Sequence, residues 1–174
     1  MRSPDFRPSE SKPMQCAKAQ FGVAPATLEL VLDSDWIAVR GALSQVLIAL
    51  EPRSLTPDQQ GTLELILAEV LNNIVEHAYE EQLGTIALRL RAEEQAVWCE
   101  VMDQGREMPG GTPPTGGTIP TEAELAALAV QDLPEGGFGW SLIRALTQDL
   151  HYEREGMTNR LSFRFSLVVE PSRA

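Results

Sequence analysis

The stretch Glu69-Val70-Leu71-Asn72-Asn73-Ile74-Val75-Glu76-His77-Ala78-Tyr79 carries two patterns on one helix. Leu63, Ile66, Leu67, Val70, Leu71, Ile74, Val75 and Ala78 recur at spacings of three and four, which draws one apolar stripe. Glu69, Asn73 and His77 follow one another at i, i+4 and i+8, and at about 100° per residue they drift along one edge. Asn72 and Glu76 fall on the same side, largely opposite the stripe, with His77 near its border. Thr56-Pro57-Asp58 opens the helix with a capping residue and a proline at the first position, and the pattern predicts that it runs to about Glu81. Such a helix packs its stripe on a sheet and holds a carboxylate and carboxamides toward the space above.

That pairing suits metal–phosphate chemistry. An Asn oxygen is a hard ligand for Mg²⁺, and a Glu can take a proton from a nucleophile. An isolated E-x-x-x-N is more often a solvated polar face, so the neighbouring segments decide its meaning.

Upstream, residues 1–22 read as a flexible tail, with Pro4, Pro8 and Pro13 among serines and scattered charges. Thr27 to Asp33 alternates apolar and polar, as a half-buried strand does. Ser34 or Asp35 then caps a helix to about Leu50, which Pro52 ends. Downstream, Gly84 breaks the long helix, and Thr85–Arg91 and Val97–Met102 read as a hairpin turning at Glu93-Glu94-Gln95. Asp103-Gln104-Gly105 ends the second strand. A Gly- and Pro-rich loop follows to Glu135, interrupted by a helical patch at Glu122–Val130. Gly136-Gly137-Phe138-Gly139 leads into a helix from Trp140 to about Asp149, and strands near His151–Glu155 and Leu161–Val168 close the chain. The order predicts an α+β fold: one mixed sheet with helices on one face.

Composition narrows the function classes. The chain has 174 residues, 43% hydrophobic and 22% charged, as an ordinary globular domain has. Its net charge of -11 repels phosphate backbones and argues against direct nucleic-acid binding. Cys16 and Cys99 have no metal-site or disulfide spacing. No apolar run reaches a membrane span, and no signal core opens the chain. These features predict a cytoplasmic protein without membrane attachment. Trp36, Trp98 and Trp140 are expected to serve packing, and Glu93-Glu94 to form a solvated turn.

Each glycine segment is weak alone. A carboxylate such as Asp103 can accept from an exocyclic amine, and Gly105 permits close backbone approach to a planar ring. Helix N-termini bind phosphates through free N–H groups, which Gly137 and Gly139 would let come near. Their order and spacing are more specific: an acid–Asn helix, a hairpin ending in D-x-G, a Gly-rich lid, then G-x-G opening a helix. Residues 69–79 resemble the N-box of anti-sigma-factor serine kinases of the GHKL ATPase superfamily, E-x-x-x-N-x-x-x-H-[AG]-Y. Asp103-Gln104-Gly105 resembles their first glycine box, and Gly137-Phe138-Gly139-Trp140-Ser141-Leu142-Ile143 their second. The likeness covers about residues 25–168 and identifies residues 23–170 as a GHKL-type ATP-binding domain.

The resemblance implies a GHKL-type sandwich with a Gly/Pro-rich ATP lid, and roles for its residues. Glu69 would be the general base toward a serine or threonine hydroxyl, and Asn73 would coordinate Mg²⁺ on the triphosphate. Asp103 would read the adenine amine with Gly105 against the ring, and Gly137 and Gly139 would contact phosphates. Asn159 best matches a family threonine near the adenine. His77 would polarise a phosphate, hold the N-box tyrosine, or serve structure alone. The implied activity is ATP-dependent phosphorylation of a STAS-type anti-anti-sigma protein, coupled to sequestration of a sigma factor, by a homodimer. The chain departs from its relatives in two respects: Arg106-Glu107-Met108-Pro109 follows the first glycine box, where relatives often have a proline soon after the glycine, and no Lys or Arg lies between Arg106 and Arg144. Charge on the moving phosphate would then be met by Mg²⁺, the helix end at Gly137 and Arg106. The alternative is a nucleotide-binding interaction switch that transfers phosphate poorly or not at all. Sensor histidine kinases, chaperones, mismatch-repair ATPases and type II topoisomerases share the motifs, but they need a phosphoacceptor histidine or further domains.

Overall fold

The computed structural model describes residues 26–80, 82–116 and 138–168. The expected tail at 1–22, the helical patch Glu122–Val130 and Gly137 lie outside the described residues.

Two helices follow the first strand, and that number sets the topology. Strand β1 (Ala26–Asp33) leads into helices α1 (Trp36–Leu50) and α2 (Pro57–Asn73), and then into β2 (Thr85–Ala92). Two helices carry the chain down and back up, so β2 enters beside β1 in the opposite direction. A hairpin adds β3 (Ala96–Asp103). Helix α3 (Gly139–Leu146) returns the chain to β4 (Gln148–Glu155), and a second hairpin makes β5 (Thr158–Ser166). The sheet order is β1-β2-β3-β5-β4. Strands β3 and β4 point the same way, but β5 slots between them. All four pairings are therefore antiparallel, not mixed as the sequence order predicts.

Local chemistry fixes the helix starts. Asp35, not Ser34, caps α1: its Oδ1 accepts from the Ile37 and Ala38 amides at 2.8 Å each. Ser34 instead ties to the loop before β2, where its Oγ accepts from the Gly84 N–H at 2.8 Å. Thr56 and Gln59 form a capping box with Pro57 at the first helical position of α2. Helix α3 ends three residues before its predicted end. Thr147 turns to extended geometry (φ -123°, ψ 162°), and a bulge follows between Gln148 and His151 in β4.

The core lies between the helices and one sheet face. Leu63, Ile66, Leu67 and Leu71 from α2 and Ile143 from α3 are fully buried against Ile86, Leu88, Val97 and Phe163. The opposite face of the sheet carries ion pairs, Arg89 with Glu29 and Glu100, and Arg160 with Glu100 and Glu153. Trp98 lies there too, 5.8 Å from both the Arg91 and Arg164 guanidinium carbons, and Trp36 is 52% exposed at the start of α1. Neither tryptophan belongs to the core. Among the described residues, no helix is long and apolar enough to cross a membrane.

Candidate functional site

Helix α2 does not stop at Asn73. Its last turn widens into a π-helical segment, Ile74–Tyr79, a distortion that recurs at functional sites. The segment carries Ile74, His77 and Ala78 along one wall of a cavity of about 340 Å³. The rest of the cavity is lined by Asp103 at the end of β3, by Met108, Pro109 and Pro114 from the following loop, by Trp140 on α3, and by Tyr152, Asn159 and Leu161 of the β4–β5 hairpin. Most walls are apolar and a few polar groups converge, as ligand pockets are built.

Asn73 lines the cavity, and Glu69 and Gly139 lie beside it without lining the cavity themselves. A Cβ added to Gly139 would come within 2.4 Å of Glu69 Oε2 and 3.8 Å of Asn73 Nδ2, so only a bare backbone lets α3 start this close to α2. The start of α3 and a carboxylate thus share one spot, where the helix dipole favours negative charge. Asn73 lines the cavity, and its Nδ2 is buried with no hydrogen-bond partner. Oxygen and nitrogen of a carboxamide exchange by a half-turn, so this uncommitted end can offer an oxygen to a cation. No group of three or more His, Cys, Asp or Glu among the described residues could hold a metal by itself. The donors fit an ion that keeps phosphate and water ligands, as Mg²⁺ does.

Asp103, which also lines the cavity, is 6% exposed. Its Oδ1 accepts from the Gly105 amide at 2.8 Å and from Asn159 Nδ2 at 2.7 Å. Burial pushes its carboxyl above the ordinary carboxylate range. The bonds from Asn159 and Gly105 and the nearby Arg154 charge pull the other way. Asn159 is 4% exposed and saturated: its Oδ1 accepts from Tyr152 and Arg154, and its Nδ2 also faces the Arg106 carbonyl at 3.1 Å. It therefore supports Asp103 from behind.

Of the other expected residues, Arg106 and His77 line the cavity and Gly105 does not. A Cβ on Gly105 would meet the Ala78 carbonyl oxygen at 2.6 Å, so the glycine lets the loop lie on the π-helical turn. Arg106 grips Glu80 through two bonds of 2.6 and 3.1 Å. Glu80 caps the end of the π-helical segment, eleven residues beyond Glu69, and Tyr79 before it is roughly 15 Å along the helix from Glu69 at about 1.5 Å per residue. Arg144 donates to the Pro113 and Pro114 carbonyls at 2.5 and 2.7 Å, strapping the loop to α3. The His77 side chain is 69% exposed, with Nε2 3.8 Å from Glu76. It does not hold Tyr79, whose hydroxyl donates to the Thr85 carbonyl and accepts from the Gln104 amide.

Tyr152 and Arg154 are absent from the sequence-based site. Their signal was slight: β4 reads Gln-Asp-Leu-His-Tyr-Glu-Arg-Glu, and a lone tyrosine that faces inward there is the one large ring in a polar strand.

The chain belongs to the histidine kinase-like ATPase domain family, whose model matches residues 32–165. That is a GHKL-type nucleotide-binding fold of the ATPase class. No curated protein matches the sequence. Among twelve matching chains of solved structures is the crystal structure of the RsbU and RsbW domains of Rv1364c from Mycobacterium tuberculosis. Its TM-score is 0.51 at 17% identity, over 84% of this chain and 34% of that one. At that identity the likeness is one of fold, and this chain spans about a third of that structure.

Proposed function

We propose that this chain is an ATP-dependent protein serine/threonine kinase of the partner-switching type. It binds Mg-ATP, phosphorylates a STAS-type anti-anti-sigma protein and sequesters a sigma factor, acting as a cytoplasmic homodimer. The supporting observation is the meeting of Glu69, Asn73 and the Gly139 helix start beside a cavity that Asn73 and Asp103 both line. In this reading Asp103 accepts from the adenine amine. The α3 amides, with Gly137 beside Gly139, receive phosphate oxygens. Asn73 holds Mg²⁺, which when bound neutralises phosphate charge. Glu69 takes the proton of the attacking hydroxyl. Phosphate on the STAS partner adds negative charge and weakens that complex, which returns this chain to its sigma factor.

The test is transfer of γ-labelled phosphate from Mg-ATP to the STAS protein encoded nearest to this chain, with Glu69→Ala as control. Wild type is expected to label the partner. Glu69→Ala should lose at least about 100-fold in transfer while it keeps its ATP affinity by calorimetry. Unchanged transfer in the variant sinks the base assignment.

A second reading has its own support. Arg106 is held by Glu80 and Arg144 by two carbonyls, and no Lys or Arg lies between them in sequence. With both guanidinium groups so engaged, the site suits a switch that binds nucleotide and transfers phosphate poorly or not at all. ATP binding and a stable STAS complex without label would establish that reading.

A further inference from the structure

The hydrogen bonds behind Asp103 run in one direction. The Met108 amide donates to the Tyr152 hydroxyl at 3.1 Å, so the single Tyr152 proton goes to Asn159 Oδ1 at 2.8 Å. The Arg154 guanidinium donates to the same oxygen. That fixes the Asn159 carboxamide, because a half-turn would set its NH₂ against a cation and its oxygen against the Gly105 and Arg106 carbonyls. Asn159 Nδ2 therefore points at Asp103 Oδ1, which also receives the Gly105 amide. Among the described residues no donor reaches Oδ2, and Asp103 lines the cavity.

We infer that Asn159, held by Tyr152 and Arg154, is a positioning residue that fixes which atom of residue 103 meets the base, and so makes the site select a 6-amino over a 6-oxo purine. The inference rests on the nucleotide reading above. With Oδ1 saturated by two N–H donors, Oδ2 is a pure acceptor. A 6-amino purine brings an N–H to it, whereas a 6-oxo purine brings a second acceptor and leaves both oxygens unpaired.

The same geometry makes a stricter demand on Asp103→Asn. Two donors at the Oδ1 position force the new carboxamide to place its oxygen there and its NH₂ in the Oδ2 position. The variant should then donate to a 6-oxo group, and the base preference should invert.

Calorimetric titration of the full chain with Mg-ATP and Mg-ITP tests this, since the two nucleotides differ at C6 and in the N1 proton. Wild type should prefer ATP by at least about tenfold, and Asp103→Asn should prefer ITP. Adding Asn159→Ala to Asp103→Asn should erase the inversion. The milder Tyr152→Phe should reduce it several-fold, and it serves where the alanine variant does not fold. Equal binding of ATP and ITP by wild type would remove Asp103 as the base reader, and with it the reading on which the inference rests. ATP preference in wild type without inversion in Asp103→Asn, including loss of both ligands, overturns the positioning role alone. So does an inversion that survives both second substitutions.

Discussion

Asp103 holds a charge where burial disfavours it, and its hydrogen bonds keep that charge useful. Its carboxyl titrates above the ordinary range because desolvation outweighs the Asn159 and Gly105 bonds and the Arg154 charge. Acidification puts the proton on Oδ2, since Oδ1 already accepts two N–H groups. Oδ2 then becomes a donor, so ATP affinity should fall as pH drops through a carboxyl raised above 3.8. Asp103→Asn should show no such fall in its ITP affinity, and calorimetry across the acid range checks both. The stability effect has the opposite sense. A folded-state pKa above the unfolded one means that ionised Asp103 opposes folding at neutral pH, and the opposition fades as pH falls through the folded value. Asp103→Asn is therefore expected to melt at or above the wild-type temperature at pH 7, with the difference shrinking toward pH 4.

At the scale of elements, the π-helical turn after α2 is the joint on which the site hangs. Tyr79 lies across Gly84, where a Cβ would sit 1.9 Å from its ring, and its hydroxyl links Thr85 of β2 to Gln104 beyond β3. The Arg106 amide donates to the Ala78 carbonyl at 2.8 Å, so the D-x-G loop is sewn to the same turn. Tyr79→Phe should cost about 1 kcal/mol and loosen the loop, read as faster amide exchange at Gln104. Gly105→Ala should cost more, about 1–3 kcal/mol, because its Cβ meets backbone atoms of Ala78 that cannot rotate away. Thermal denaturation ranks the two, and a Gly105→Ala protein as stable as wild type would contradict the close contact.

For the whole molecule, the core and the site share one helix. Leu67 is fully buried in the core cluster, two residues before Glu69. Leu67→Ala should lose about 2–5 kcal/mol in a single unfolding transition, because the buried residues form one cluster. Denaturant unfolding followed by tryptophan fluorescence and by far-UV circular dichroism should give coincident curves. Separate transitions would show that the helices and the sheet are not one cooperative unit.

The order of the described elements, the apolar stripe of α2 and the capping residue Thr56 were legible in the sequence. Each is a local pattern of side-chain period or backbone freedom, and such patterns survive without tertiary contacts. Chain order alone could not say that β5 enters between β3 and β4, which makes every pairing antiparallel. That outcome depends on which buried faces meet. Local pattern also misjudged partners. Gly105 answers to Ala78 and Arg106 to Glu80, while Asn159 answers to Asp103, Tyr152 and Arg154. These contacts join residues up to 56 positions apart. A hydrogen bond at that separation depends on the strand register that the folded core imposes, and nothing in the residues beside it announces the partner.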